Sequence, residues 1–306
     1  MTQSTTPKVG LVLGAGGIRG CAHAGVIEVL GEAGVPIDLV VGASVGSIFG
    51  LGVAAGLPTE HVVRAARDAT PLDMFRFYAG RLRTDRRNLA ARLLREAGEG
   101  KNFADLALPF AVMATDMTHH RTVTIDQGPV LPAVEASIAL PFIARPVVLD
   151  GCCYADGGLL DTAPVHVART MGADIVIAVC LGLNYAAPAF LRRRPWTQSV
   201  LHRLGRQQRP SRAGLHDQVR FSFRLYANSY DPPPPSADEA DIAIYPELGS
   251  ISPNSMFGTR VCYEAGVAAG RAALPAILET LRDAGRLQAM DGVPDSTAAS
   301  TGSPSL

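Results

Sequence analysis

VGLVLGAGGIRGCAHAGVIEVLGEAGVPIDLVVGASVG, residues 9–46, decides the fold. It opens on an apolar run, Val9 to Leu13, stopped by Gly14, Gly16 and Gly17. A helical pattern follows from Ile18 to about Ala33, with Val26, Ile27 and Leu30 on one face and Gly34 as its stop signal. A second strand, Ile37 to Val41, and a helix starting near Val45 complete a β-α-β-α order. That order is the signature of a parallel sheet covered by helices.

Downstream, Pro109 to Ala114 and Arg121 to Ile125 read as paired strands around a Thr118-His119-His120 turn, and Ala133 to Ser137 as helical. Val147 to Leu149 leads through Gly151 to Tyr154 and then to Asp156, Gly157 and Gly158. Ile175 to Leu181 is a buried strand, and Ile242 to Tyr245 another. Glu264 to Leu281 predicts a long helix kinked at Pro275. Between them the texture changes: nine arginines fall between Arg192 and Arg224, with Asp217 as the only acid, and the run Pro232 to Pro235 follows. Residues 186–235 therefore read as a basic, Pro-rich surface insertion or lid on a domain spanning 8–285, with 286–306 as a disordered tail.

Leu39 to Thr59 contains no charged residue, and Gly42, Gly46 and Gly50 repeat at the spacing of packed membrane helices. The β-branched opening, the glycines and Ser44 and Ser47 favour a buried strand, a tight turn and a packed core helix instead. With 28 basic and 28 acidic residues the chain is formally neutral, which argues against a nucleic-acid partner. Its 47% hydrophobic content and mean hydropathy of +0.17 support a large core. Five scattered cysteines without a CxxC pair suggest neither a disulfide scaffold nor structural zinc, so a cytoplasmic setting is the expectation.

The chemistry centres on Gly42-Ala43-Ser44-Val45-Gly46, a G-x-S-x-G between a predicted strand and a predicted helix. On so tight a turn a serine hydroxyl is lifted clear of the backbone and faces the N-terminal dipole of the next helix. The loop Gly14 to Gly20 aims unpaired backbone N–H groups at one point, which suits a phosphate or a developing oxyanion. It departs from G-x-G-x-x-G and carries no phosphate-binding lysine, so the oxyanion use leads. A serine also needs a base. None of the seven histidines sits in a marked setting, whereas Asp156, after a strand and before two glycines, is distinctive; the same Asp-Gly-Gly also fits a tight turn.

Gly14 to Gly20, the G-x-S-x-G around Ser44, and Asp156-Gly157-Gly158 occur in the order and context seen in patatin-like phospholipases. Ala136-Ser137-Ile138-Ala139-Leu140-Pro141-Phe142 and Asp150-Gly151 resemble that family as well. The resemblance implies a three-layer α/β fold with a mostly parallel central sheet, and a serine lipid acyl hydrolase that needs no cofactor and no metal. By position it makes Ser44 the nucleophile, Asp156 its partner in a dyad, and the amides around Gly16, Gly17 and Ile18 the oxyanion hole. Gly14, Gly20, Gly42, Gly46, Gly157 and Gly158 then shape the turns. Arg19 matches a basic residue common in the loop, there to touch lipid phosphate or to brace the turn. The implied partners are a phospholipid or other lipid ester, with peripheral contact to the membrane.

Two other readings remain. An α/β-hydrolase esterase would use Asp156 to orient His166, His202 or His216 as base, yet Ser44 follows only the second strand, too early for that fold. A non-catalytic nucleotide-binding module built on Gly14 to Gly20 leaves Ser44 and Asp-Gly-Gly unexplained.

Overall fold

The computed structural model describes residues 6–73, 88–119, 121–140, 144, 146–182 and 239–287. The expected insertion over 186–235, nearly all of the tail, His120, Phe142, His202 and His216 lie outside the described residues.

The run that opens the chain's core becomes β1 (Val9–Leu13), buried on both faces as a central parallel strand requires. A 3-10 turn over Gly17–Gly20 feeds α1 (Cys21–Glu32), and β2 (Leu39–Ala43) leads through Ser44 into α2 (Val45–Ala54). Next come α3 (Thr59–Arg67), α4 (Leu89–Gly98), β3 (Phe110–Asp116), β4 (Arg121–Ile125) and α5 (Val130–Ser137). A hairpin, β5 (Val147–Leu149) and β6 (Cys152–Asp156), is followed by α6 (Val165–Thr170), β7 (Ile175–Val179), β8 (Ile242–Ile244) and α7 (Thr259–Asp283).

These eight strands form one sheet, in the order β5-β6-β3-β2-β1-β7-β8 with β4 also on β3. From β3 to β8 the pairing is parallel; β4 and β6 run antiparallel to β3, and β5 antiparallel to β6. Alternation along β1 divides the core in two. Val9, Leu11 and Leu13 pack with α1, α2 and the helices beyond them, while Val12 packs with Ala163, Val165 and Ala168 on the other face. The result is the expected three-layer α/β architecture.

One detail of register positions everything that follows. Val112 and Met113 of β3 pair with both β2 and β4, and Ala114 to Asp116 pair with both β4 and β6. A strand residue has two edges, so β4 occupies one edge of β3 while β2 and β6 share the other. They run toward each other along it: β2 ends with Ala43 opposite Met113, and β6 ends with Asp156 opposite Ala114.

The uncharged stretch from Leu39 to Thr59 is a core strand, a turn and a core helix, with Val40, Val41, Leu51 and Ala54 fully buried. Among the described residues α7 alone is long and apolar enough to cross a membrane by length and composition. It packs along α1 instead, so closely that a Cβ on Gly266 would lie 2.0 Å from the Ala22 carbonyl oxygen. Several boundaries differ from expectation by a few residues, two of them for reasons visible in the structure. The second strand begins at Leu39 because the Asp38 carboxylate turns back to accept the Val9 N–H at 2.7 Å. The last helix starts at Thr259, directly after Gly258 at φ 103, and continues through Pro275.

Candidate active site

Ser44 and Asp156 come together because the two strands that carry them end on consecutive residues of β3. The Ser44 hydroxyl donates to Asp156 Oδ2 at 2.6 Å. Both side chains are nearly buried, at 6% and 1% exposure. Ser44 has φ 52 and ψ −126, a left-handed conformation that costs a non-glycine residue energy and lifts its side chain off the line of strand and helix. Three bonds hold it there. Ser137, at the end of α5, accepts the Ser44 N–H on its hydroxyl at 3.0 Å, and the Ser47 hydroxyl and N–H both donate to the Ser44 carbonyl. Gly42, next to last in β2, leaves room for the start of α2, since a Cβ there would lie 2.5 Å from the Ser47 Cα, and Gly46 lets α2 start against β1: a Cβ on Gly46 would lie 2.0 Å from the Leu13 carbonyl oxygen.

Asp156 caps the short 3-10 turn Gly157–Leu159, its Oδ1 accepting the Gly158 N–H at 2.8 Å. Its own backbone is fixed on both sides, N–H to the Ala139 carbonyl at 2.9 Å and carbonyl from the Thr115 hydroxyl at 2.8 Å. Burial pushes the carboxyl up to about 7, against the hydrogen bonds from Ser44 and Gly158, which favour the charged form. A carboxylate so placed is a far better base at neutral pH than a free aspartate.

The glycine-rich loop packs on the same turn. A Cβ on Gly158 would fall 2.3 Å from the Ala15 Cβ. Gly14 donates to the Val179 carbonyl at 3.1 Å and Ala15 to the Thr162 carbonyl at 2.8 Å, whereas the Gly16 and Gly17 N–H groups have no protein partner among the described residues. Gly17 has φ +56, and the Pro253 carbonyl oxygen sits where its Cβ would be. Ile18 departs from the expected donor set: its N–H is taken by the Pro253 carbonyl at 2.9 Å. Arg19 is buried and braces the turn, with Nε donating to the Ile251 carbonyl at 2.7 Å and Nη1 to the Leu181 and Gly182 carbonyls. Gly20 closes the 3-10 turn against Val45.

A narrow apolar pocket of about 40 Å³, partly open to solvent, begins beside this loop, lined by Gly17, Ile18, Cys21, Val45, Ile48 and Phe49 and by Ala65, Ala69, Asp73, Asn88 and Ala90 beyond them. Among the described residues, His61 pairs with Glu96, His119 with Asp116, and His166, half-exposed, with Asp161. Asp116, His119 and Cys152 offer atoms within 4.8 Å of one another that could hold a metal, at the end of β6 away from Asp156. The Asp116 oxygens there already accept from the Thr118 and His119 backbone and from the His119 ring. Sequence reasoning assigned no role to Ser137, Ser47 or Pro253, and left His23 unmarked, although its ring lies on the Gly14 carbonyl.

Comparison with known proteins falls on the same segment. Residues 11–169 match the family model for patatin-like phospholipases, 159 of 306 residues. An NTE family protein of Mycobacterium bovis, itself uncharacterized, is 35% identical over 192 residues, covering 61% of this chain and 52% of the relative. A protein named lysophospholipase NTE1 from Mycosarcoma maydis is 33% identical over 190 residues, 57% of this chain and 10% of the relative. The chain thus spans about half the length of the mycobacterial relative and much less of the fungal one. Among solved structures, VipD from Legionella pneumophila superposes with a TM-score of 0.52 at 15% identity, over 90% of this chain and 67% of that one, a likeness of fold. With just over half of its residues matched by one family model, the chain belongs to the patatin-like phospholipase family.

Proposed function

We propose that this chain is a serine lipid acyl hydrolase working through a Ser44–Asp156 dyad, with residues 8–285 as its hydrolase domain. The observation that carries the reading is the 2.6 Å bond from the Ser44 hydroxyl to a buried carboxylate whose pKa is raised to about 7. As an ester carbonyl approaches, Ser44 Oγ attacks its carbon and the proton passes to Asp156 Oδ2. The oxyanion is received by the Gly16 and Gly17 N–H groups, the two loop amides with no protein partner among the described residues. Collapse of the tetrahedral intermediate returns the proton to the leaving alkoxide. Water then attacks the acyl-enzyme with Asp156 again as base, releasing the fatty acid and Ser44.

The family and the lysophospholipase name of one relative support a phospholipid or lysophospholipid ester as substrate. The apolar cavity beside Gly17 and Val45 suits the first carbons of an acyl chain. Contact with a membrane surface belongs to the same proposal, because such esters reach the enzyme from a bilayer or micelle. The direct Ser44–Asp156 bond favours the dyad over a triad, in which a histidine would stand between serine and aspartate. Fatty-acid release from a panel of phospholipids, lysophospholipids and p-nitrophenyl esters is the test. Release by the wild type and none by Ser44→Ala is the expected result; equal release by both would refute it.

A further inference from the structure

His23 lies at the third position of α1, fully buried, with its ring edge-on to Phe49 at 6.3 Å between centroids. Its Nε2 is 2.7 Å from the Gly14 carbonyl oxygen. A carbonyl only accepts, so Nε2 carries the hydrogen and donates. Burial holds the ring neutral, lowering its pKa to about 4, which leaves Nδ1 as a bare acceptor. Nδ1 is buried and has no hydrogen-bond partner among the described residues. An unmet buried acceptor is a cost, so nothing on the Nδ1 side accounts for an imidazole here; its one polar contribution is the bond to the Gly14 carbonyl.

What the imidazole does hold is a peptide plane. The Gly14 carbonyl and the Ala15 N–H belong to one peptide unit; His23 grips its oxygen, and the Thr162 carbonyl grips its N–H at 2.8 Å. At the other end of the loop, the Gly17–Ile18 peptide is held through Ile18 N–H by the Pro253 carbonyl. Between these two clamps lie the Gly16 and Gly17 amides, in a backbone whose glycines would otherwise let peptides flip. Ala15, in the clamped unit, is also the residue against which Gly158 of the Asp156 turn packs.

We propose that His23 is a positioning residue: its Nε2–H fixes the Gly14–Ala15 peptide and thereby aims the Gly16 and Gly17 N–H groups at the developing oxyanion. This rests on the reading of Ser44 as nucleophile. The effect falls on the transition state, where the oxyanion exists, so kcat and kcat/KM drop together while KM holds.

The experiment compares p-nitrophenyl ester kinetics of the wild type, Ser44→Ala, His23→Leu, His23→Met and His23→Gln, with circular dichroism and thermal melting on each. The two apolar variants should fold and lose roughly ten- to hundredfold in kcat, with KM within about twofold. His23→Gln, whose amide can reach the place of Nε2 and donate, should recover most of kcat. Folded apolar variants with wild-type kcat, a loss confined to KM, or His23→Gln as slow as the apolar variants would each overturn the proposal. So would apolar variants that fail to fold, since the bond would then be a requirement of the fold. Turnover retained by Ser44→Ala sinks the acyl-enzyme reading itself; a dead Ser44→Ala beside a fully active His23→Leu sinks only the role of His23.

Discussion

Ala15 and Gly158 meet with no room for a second methyl group: a Cβ on Gly158 would stand 2.3 Å from that of Ala15 and 3.1 Å from Asp156 Oδ1. The glycine-rich loop and the Asp156 turn are thus two sides of one contact, and the absent methyl at position 158 sets their separation. Gly158→Ala should push the loop away from Asp156 and lower kcat by about tenfold or more. Because Ala15 is the obstacle, Ala15→Gly combined with Gly158→Ala should recover much of that activity. Kinetics on both single variants and the double variant form the cycle that checks this, and strictly additive losses would contradict it.

Ser44→Ala removes only a hydroxyl from a turn held by backbone bonds, so the fold should survive and ester hydrolysis should stop. Asp156→Asn should be about as inactive, since groups that act as a unit do not contribute additively. His166→Gln should leave turnover largely intact, as that ring pairs with Asp161 at the surface. Turnover, circular dichroism and labelling by a fluorophosphonate probe check all three, and a His166 variant as dead as Ser44→Ala would point to a triad.

The raised pKa of Asp156 has two signed consequences. Activity needs the ionised carboxylate, so kcat/KM should climb with pH through about 7. Stability runs the other way. The folded state holds this proton more tightly than the unfolded chain, whose value is near 3.8, so ionisation in the folded state is a penalty absent below about pH 4 and complete above about pH 7. A gap of that size corresponds to on the order of 4 kcal/mol at most. Asp156→Asn carries no such penalty, and its melting temperature should exceed that of the wild type by a margin that widens as pH rises from 4 to 8. A margin that narrows over that range would be the wrong sign.

Ser137→Ala should leave the buried Ser44 N–H without its acceptor, at a cost of about 1 to 3 kcal/mol in stability. The strained Ser44 backbone loses one of its three restraints, so fluorophosphonate labelling should slow while KM changes little. Thermal melts and labelling rates read these separately.

Much of this was legible in the sequence, where the information is local. Apolar runs punctuated by glycine gave the alternation of strand and helix, and the turns at Ser44 and Asp156 each fit within five residues. What was not legible depends on distant partners. Ile18 looks like a third donor until the Pro253 carbonyl, far along the chain, takes its N–H. Ser137 stands 93 residues from the amide it accepts, and no local pattern announces that pairing. His23 is close in sequence to Gly14, but its value lies in which atom faces the carbonyl, and helical periodicity is silent on that. Boundaries slipped for similar reasons: Asp38 reads as part of the strand until its carboxylate is seen turning back onto Val9.

The meeting of β2 and β6 on one edge of β3 makes the reactive pair a discrete device. Asp156 can only move along that edge in ladder steps. One step turns its side chain to the opposite face of the sheet, and two carry it roughly 7 Å from Ser44, beyond any hydrogen bond. Between these ladder steps there is no register in which the pair is merely weakened. A substitution that lets β6 slip in register therefore divides the population into molecules at full power and molecules with none, and counting active sites with a stoichiometric inhibitor, not measuring bulk turnover, is what tells such damage from a true change in chemistry.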